Sequence, residues 1–506
     1  MKHDLHSLVE QLIWNGLRLN ILDSRDTVYI RNQYYALLGL QSLAGDIANK
    51  EIPSTLNNIC ISILTNLDDS VLKALGNTQE QQVSRLINTM LPFPSIIENN
   101  FKQIKQRTGI KDALDWYYQF CYNNDYIQSE AIAKNKNWKS QNKYGEFEIT
   151  INLSKPEKDP KEIAKLKQSK ATNQYPQCLL CIENEGYSGD NKKPSRHNHR
   201  LLQMTLNNQP WYFQFSPYAY YPEHSIVINH EHKPMIIDTN TIKCFCDFVD
   251  QVPHYLIGSN SDIPIVGGSI LNHDHFQAGN YIFPIEKAMI KFSQTINNVQ
   301  VEYLHWPITT LRLTGNKPDL IYLTEALIKH WYHFSMPELD IVAFSPKGVR
   351  HNAVTPIMRK IDSNNYQLYI MLRNNRTSNK YPDGIFHPHQ ELHHIKKENI
   401  GLIEAMGIAI LPGRLDYELT EMNKFLTMND YNLANLELLY DEQMLKHEIW
   451  LDELYQKYNS FDKVDNFELL RIEIGVKFCQ VLENSGVFKQ NAKGDNGIKW
   501  FLESLE

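Results

Sequence analysis

The stretch Gly267–Gly279 (Gly-Gly-Ser-Ile-Leu-Asn-His-Asp-His-Phe-Gln-Ala-Gly) constrains the fold of this chain more than any other. Apolar, β-branched runs on both sides predict that it is a β-strand entered through a glycine-rich turn. On a strand, alternate side chains share a face, which puts His273, His275 and Gln277 side by side. Two imidazoles and an amide on one face are costly to bury for stability alone, so we interpret the stretch as a functional site. The alternative is a strand edge with solvated histidines.

Length, charge and cysteine content limit the class of protein. The chain has 506 residues, which predicts two core units with helical additions. A net charge of −7 argues against non-specific nucleic-acid binding. The first residues lack the pattern of a signal peptide, and no apolar run is long enough to span a membrane. Seven cysteines without a secretory signal fit free thiols or metal ligation in a reducing cytoplasm better than disulfides.

Hydrophobic periodicity divides the chain into four regions and predicts the α+β class. These regions are a helical scaffold over residues 1–140, a first β-rich unit over 141–290, a second β-rich unit over 291–415 and a helical tail over 416–506. A lysine-rich segment at 155–170 predicts a boundary with a short charged helix. The chain after Glu391 is predicted to be helical to its end.

Cys178-Leu179-Leu180-Cys181 is the second strong signal. A two-residue gap lets both thiolates reach one tetrahedral ion, as in the first half of a structural zinc site. A redox dithiol is one alternative, although that motif usually opens a helix in a βαβ unit. Two inert core cysteines are the other alternative.

A zinc site needs two more ligands, and the chain has no second CxxC. His224, which precedes an apolar strand, and His273 are the candidates. Cys244 and Cys246 are alternatives, but they lie in a predicted amphipathic helix, where they point apart. We therefore interpret these two cysteines as core.

His275 is then free for chemistry. A neutral imidazole is a competent nucleophile toward phosphorus if its other nitrogen donates to a carbonyl. Gln277 on the same face and the turn at Gly267–Ser269 offer N–H groups and a hydroxyl to the charged oxygens. Because glutamine does not titrate, the pattern favours handing the group to a second substrate over hydrolysis.

Together these motifs make the chain resemble galactose-1-phosphate uridylyltransferases, a branch of the histidine-triad superfamily. His-x-His-x-Gln after a glycine-rich turn, with upstream CxxC and Pro-Glu-His-Ser, is similar to that family, and the second, Gram-positive class matches best. The stretches that carry the resemblance are 176–187, 215–218, 265–279 and 386–415. The resemblance implies two histidine-triad-like antiparallel β units and a homodimer.

The resemblance also implies a reaction and a set of residue roles. UDP-glucose would transfer UMP to His275, and galactose 1-phosphate would then accept it, while Gln277 stabilises the uridylyl phosphate. The family's zinc ligands fall on Cys178, Cys181, His224 and His273. A uridylyl contact falls on Asn260, and a phosphate contact falls approximately on Ser269.

Other candidates rest on weaker patterns. Arg196 and Arg200 are candidates for the nucleotide by charge, with a solvated basic loop as the alternative. Lys397 and Glu404, on the predicted helix after Glu391, are candidates for the hexose or its phosphate.

A second metal site is a further hypothesis. In the better-known class of the family, the second half holds a structural iron on histidines and a glutamate. His351, His387, His389 and Glu286 are the candidates here, and solvated or substrate-facing histidines are the alternative.

Two other functions remain open at this level. One is a histidine-triad hydrolase or phosphorylase with a different nucleotide, and the other is a non-enzymatic, zinc-stabilised binding module. Gln277 argues against simple hydrolysis.

Overall fold

The computed structural model describes residues 4–41, 52–154, 175–190, 193–268 and 270–505. The predicted charged helix at 155–170 and Ser269 lie outside these residues. The helices are α1 (Leu5–Arg18), α2 (Thr27–Leu38), α3 (Leu56–Leu64), α4 (Asp69–Leu75), α5 (Gln79–Asn88), α6 (Pro94–Thr108), α7 (Ile110–Asn123), α8 (Ser129–Ile132), α9 (Thr239–Gln251), α10 (Lys317–His333), α11 (Leu402–Ala405), α12 (Leu415–Thr427), α13 (Tyr431–Tyr440), α14 (Glu448–Lys457), α15 (Phe467–Ser485) and α16 (Ala492–Glu503). The strands are β1 (Lys136–Asn142), β2 (Gly145–Ile151), β3 (Leu202–Leu206), β4 (Gln209–Phe215), β5 (Ser225–Asn229), β6 (Leu256–Gly258), β7 (His275–Gly279), β8 (Ile290–Ile296), β9 (Val299–Leu304), β10 (Thr310–Asn316), β11 (Asn352–Lys360), β12 (Asn365–Asn374) and β13 (Ile408–Leu411).

The chain forms two compact units, and the first comprises Met1–Glu130, Lys158–Pro234 and Asn272–Gly279. Helices α1 to α5 bury one shared apolar core, as their hydrophobic periodicity predicts. Helix α7 packs on strand β4, where the rings of Tyr117 and Tyr118 lie 5.3 and 5.0 Å from Phe215. The predicted helical scaffold is confirmed in these segments.

The sheet of the first unit brings the functional stretches together. Strands β3, β4, β5 and β7 pair in that order, each antiparallel to the next. Between β5 and β7, Ile228 lies opposite His275 and Ile226 lies opposite Gln277. His275 and Gln277 therefore share a face with Ile226 and Ile228, since residues two apart on a strand point to the same side.

The second unit comprises Ala131–Glu157, Met235–Leu271 and Asn280–Glu506. Strands β6, β11, β12, β10, β9 and β8 pair in that order, all antiparallel. A smaller sheet joins β1, β2 and β13, and β13 runs parallel to β2. The predicted α+β class is confirmed. None of the helices in the described segments has the length and apolar character needed to cross a bilayer.

The strand predicted across Gly267–Gly279 is shorter than expected. Strand begins only at His275, while residues 263–266 form bends. Pro264 has no N–H to donate to a ladder, and Ile265 has a φ of 73°, which no strand residue adopts. Gly267 closes the bend, because a Cβ there would lie 2.3 Å from the carbonyl oxygen of Ser261.

The helical prediction after Glu391 is confirmed for the tail, which forms helices α12 to α16, but it is wrong for the residues before α12. The segment forms a short 3₁₀ turn, irregular chain, the single turn α11 and then strand β13. The run Ile408–Leu411 finds a partner strand far away in sequence, β2, and this long-range pairing overrides the local periodicity.

Candidate active site

The two cysteines of the CxxC motif lie on a tight turn. The N–H of Cys181 donates to the carbonyl of Cys178 at 3.3 Å, and the side chain of Asn184 donates to both of their carbonyls at 2.8 Å. This turn brings the two sulfur atoms to 3.5 Å from each other. The motif therefore presents two thiols to one point, as its spacing predicts.

His273 places a third potential ligand atom next to the two sulfur atoms. Its Nδ1 lies 3.2 Å from Sγ of Cys178 and 3.7 Å from Sγ of Cys181. Its Nε2 lies 2.9 Å from the carbonyl oxygen of Asn229, and a carbonyl only accepts. The proton is therefore on Nε2, so Nδ1 turns its lone pair to the sulfur atoms, as a metal ligand does.

The structure corrects the fourth predicted ligand, because His232 and not His224 joins this cluster. Nδ1 of His232 lies 3.1 Å from Sγ of Cys181, and its Nε2 lies 3.3 Å from the Asn272 carboxamide. The β5–β7 pairing continues past Asn229. The N–H of Asn229 donates to the carbonyl of Asp274, and the N–H of Asp274 donates to the carbonyl of Lys233. This register carries His232 to His273.

The same register takes His224 away from the cluster. His224 precedes Ser225, which pairs with Ala278 at the far end of β7. At about 3.3 Å per residue, that end lies roughly 20 Å from His273. The available sequence signal was the His230-Glu231-His232 run just beyond the predicted strand, which antiparallel pairing returns toward His273.

The donor set fits a structural zinc ion. The four ligand atoms of Cys178, Cys181, His232 and His273 lie within 4.8 Å of one another. With Zn–S near 2.3 Å and Zn–N near 2.0 Å, a tetrahedral ion separates its ligand atoms by about 3.3–3.8 Å. The separations within the pairs Cys178–Cys181, Cys178–His273, Cys181–His232 and Cys181–His273 are 3.1 to 3.7 Å, close to that range. Four protein ligands leave no open position, which is typical of structural sites.

His275 is held in a single tautomer next to this cluster. Its Nδ1 lies 2.7 Å from the carbonyl oxygen of His273, so Nδ1 carries the proton and Nε2 carries the lone pair. Burial lowers the pKa of the imidazole to about 4, although the bond to His273 raises it. With the ring 8% exposed, the site holds a neutral imidazole with a fixed, nucleophilic nitrogen.

Arg200, a predicted nucleotide contact, serves the fold. It is 6% exposed, and its guanidinium donates to the carbonyls of Pro92, His197 and His199 and to the side chain of Asn88 at 2.8–3.0 Å. These bonds occupy all three nitrogens. Arg196 is only half-buried, and its guanidinium lies 5.9 Å from the Tyr126 ring.

The other predicted substrate contacts lie in the second unit. Asn260 accepts a 2.7 Å hydrogen bond from the N–H of Leu402. Glu404 is bound to Lys396 and to the N–H of Gly401, both at 3.1 Å, so its carboxylate is committed to local structure. Lys397 is exposed. The roles of Asn260, Lys397 and Glu404 toward a substrate stay predictions.

The second metal site does not form among the described residues, because its four predicted ligands are not grouped. His351 bonds to Asn375, and His387 bonds to Asn399. His389 stacks on Tyr381, and Glu286 pairs with Arg359. Cys244 and Cys246 are buried on helix α9, as predicted for core cysteines.

Comparison with known proteins identifies the family. The model of the galactose-1-phosphate uridyl transferase N-terminal domain matches residues 21–234, and that of the C-terminal domain matches residues 248–439. A galactose-1-phosphate uridylyltransferase of Clostridium perfringens (strain 13 / Type A) is 42% identical, with 99% of each chain covered. Proteins of the same name from Fusobacterium nucleatum and Staphylococcus carnosus are each 40% identical, covering 99% and 98% of this chain and 99% of their own.

These matches span both compact units and include every residue of the Cys–His cluster and its neighbour His275. They exclude the non-enzymatic binding module as an interpretation. The chain belongs to the galactose-1-phosphate uridylyltransferase family and is a transferase.

Proposed function

We propose that this enzyme transfers UMP from UDP-glucose to galactose 1-phosphate through a covalent uridylyl group on His275. The similarity to galactose-1-phosphate uridylyltransferases supports the acceptor and the transferase class. The observation that carries the covalent step is the 2.7 Å bond between Nδ1 of His275 and the carbonyl oxygen of His273. That bond leaves Nε2 as the nitrogen with a lone pair, on the sheet face that it shares with Gln277.

In the first half-reaction, Nε2 of His275 attacks the α-phosphorus of UDP-glucose. An Nε2–P bond forms, the bond from the α-phosphorus to the bridging oxygen breaks, and glucose 1-phosphate leaves with the electron pair. The imidazole gains positive charge while its proton stays on Nδ1. The bond to His273 becomes charge-assisted in that state and stabilises it more than it stabilises the neutral ring.

The second half-reaction reverses the first with another sugar. A phosphate oxygen of galactose 1-phosphate attacks the uridylyl phosphorus, the Nε2–P bond breaks, and UDP-galactose leaves. His275 returns to its neutral form with the same tautomer. Because the ring is buried, water has little access to the intermediate, which favours transfer over hydrolysis.

Gln277 and the Cys–His cluster have supporting roles. Gln277 lies two residues beyond His275 on β7, so its amide N–H can donate to a non-bridging oxygen of the uridylyl phosphate. Zinc on Cys178, Cys181, His232 and His273 would hold the CxxC turn against the segments just after β5 and just before β7. Since the carbonyl of His273 accepts the hydrogen bond from Nδ1 of His275, the residue whose ring would bind the metal also orients the nucleophile through its backbone.

Intact-protein mass after brief incubation with UDP-glucose alone tests the proposal. We expect a gain of one UMP that is stable to base, labile to acid and discharged by galactose 1-phosphate. His275→Gly should show no adduct and should retain its fold and metal content. An adduct on His275→Gly would show that the nucleophile is another residue.

The same experiment separates the rival reaction. A histidine-triad hydrolase would form an adduct that decays in water to free UMP, with no faster discharge by galactose 1-phosphate. A bound but unreacted UDP-glucose on wild-type enzyme would overturn the covalent mechanism. The homodimer and the cytoplasmic location stay predictions.

A further inference from the structure

His224 is a buried imidazole that the Cys–His cluster leaves unused. It is 4% exposed, and neither ring nitrogen has a hydrogen-bond partner among the described residues. Its ring lies 4.6 Å from the ring of Tyr221 and 5.6 Å from that of Tyr220. Burying two unpaired ring nitrogens is costly, so this position calls for a partner that the aromatic packing does not provide.

The sheet places His224 on the same face as Gln277. The hydrogen-bond ladder between β4 and β5 extends to the residue just before β5, because the N–H of Ser216 donates to the carbonyl of His224 at 2.7 Å. His224 therefore points to the same side as Ile226, and Ile226 lies directly opposite Gln277. His224 and Gln277 are thus diagonal neighbours, about 7–8 Å apart along the sheet, which is within reach of two long side chains.

The side-chain oxygen of Gln277 needs a hydrogen-bond donor, and the ring of His224 has one N–H to donate. Oε1 of Gln277 is buried with no hydrogen-bond partner in the described parts of the chain. Burial lowers the pKa of His224 to about 4, so the ring is neutral and has one N–H, and the Gln277 side chain lies near enough to raise that pKa. The Tyr218 carbonyl also faces the ring, but it already accepts from the Ser216 hydroxyl at 3.1 Å.

We propose that His224 is a positioning residue that donates its ring N–H to Oε1 of Gln277. A carboxamide can present either its NH₂ or its oxygen, and only the NH₂ end stabilises a phosphoryl oxygen. With Oε1 held by His224, the NH₂ group of Gln277 turns toward the side of His275. This inference rests on the proposed function, since it concerns the uridylyl transfer to His275.

The test measures His275 uridylylation, followed as the burst of glucose 1-phosphate from UDP-glucose, and the dissociation constant of UDP-glucose. His224→Phe keeps a buried ring and removes the donor. His224→Asn and His224→Gln place an amide N–H near the positions of Nδ1 and Nε2. His199→Phe is the matched control, because His199 is also buried with no hydrogen-bond partner for either ring nitrogen among the described residues, and the side chain that raises its pKa is Gln214 rather than Gln277.

We expect His224→Phe to slow the burst about tenfold, the loss that one mispositioned hydrogen bond produces. UDP-glucose affinity should change less than about twofold, and one amide variant should recover most of the rate. In a Gln277→Ala background, His224→Phe should have no further effect, because both changes remove the same interaction. His199→Phe should leave the burst rate unchanged.

An unchanged burst rate in His224→Phe would overturn the inference. So would an equal further loss in the Gln277→Ala background, or two amide variants as slow as His224→Phe. In each of these cases a normal burst in the wild-type enzyme leaves the proposed function standing. A wild-type enzyme with no burst would overturn the proposed function and this inference together.

Discussion

Replacing each of two histidines by alanine tests which one is the fourth zinc ligand. The structure favours His232, whereas the sequence alone favoured His224. His232→Ala removes a nitrogen that lies 3.1 Å from Sγ of Cys181. His224→Ala removes a ring at the opposite end of the β5–β7 pair. We expect the first change to release zinc and the second to retain it.

The magnitude follows from linkage. Changes next to a metal ligand already weaken binding 10- to 100-fold, so losing one of four ligands should weaken it by about 100-fold or more. A metal that binds only the folded state stabilises by RT ln(1 + [Zn]/Kd), and a 100-fold change in Kd is worth about 2.7 kcal/mol. For a unit of this size, that corresponds to a fall in Tm of roughly 5–10 °C.

The assay is zinc stoichiometry by elemental analysis after dialysis against a weak chelator, paired with thermal melts with and without added zinc. His232→Ala should lose zinc, and its melting temperature should become dependent on zinc concentration. His224→Ala should keep wild-type zinc content even if its stability falls. Zinc loss in His224→Ala with full zinc in His232→Ala would refute the prediction that His232 is the fourth ligand.

Two further predictions concern the first unit. Burial and the neighbouring Glu130 raise the pKa of Asp125 to about 7. Between about pH 4 and pH 7 the folded state therefore keeps a proton that the unfolded chain has lost. The free energy of unfolding falls as the pH rises through this interval. Asp125→Asn, which tolerates the φ of 60° found there, should raise the free energy of unfolding by about 1–3 kcal/mol at pH 8 and much less at pH 5, and an equal gain at both pH values would contradict this. Arg200→Ala should lower the free energy of unfolding by roughly 3 kcal/mol, because it leaves buried carbonyls unpaired, whereas the partly exposed Arg196→Ala should cost at most about 1 kcal/mol. Denaturant unfolding measures both, and a reversed order would show that Arg200 is not the structural arginine.

Local patterns predicted most of the helical and β-rich regions, and they predicted the site residues that lie close together in the sequence. Hydrophobic periodicity located the helical scaffold and the first β-rich region, which contains strands β2 to β5. Where the prediction failed, a long-range partner decided the outcome. Strand β13 exists because β2 offers it a parallel edge, and no local feature of residues 408–411 specifies that edge.

The sequence by itself determined the features that depend on short spacing. Cys178 and Cys181 converge because a turn of two intervening residues allows it, and His275 and Gln277 share a face because strand side chains alternate. These relations hold in any fold that preserves the local turn and strand.

Only the tertiary structure decided the features that join distant parts of the chain. The β5–β7 register placed His232 rather than His224 in the Cys–His cluster, and the carbonyl of Asn229, 44 residues before His273, fixed the tautomer of the His273 ring. Packing committed Arg200 to carbonyls in separate loops. Register and packing are set by the burial of whole strands and helices, so a single side chain such as His224 has no local signal that tells which of two distant sites it will reach.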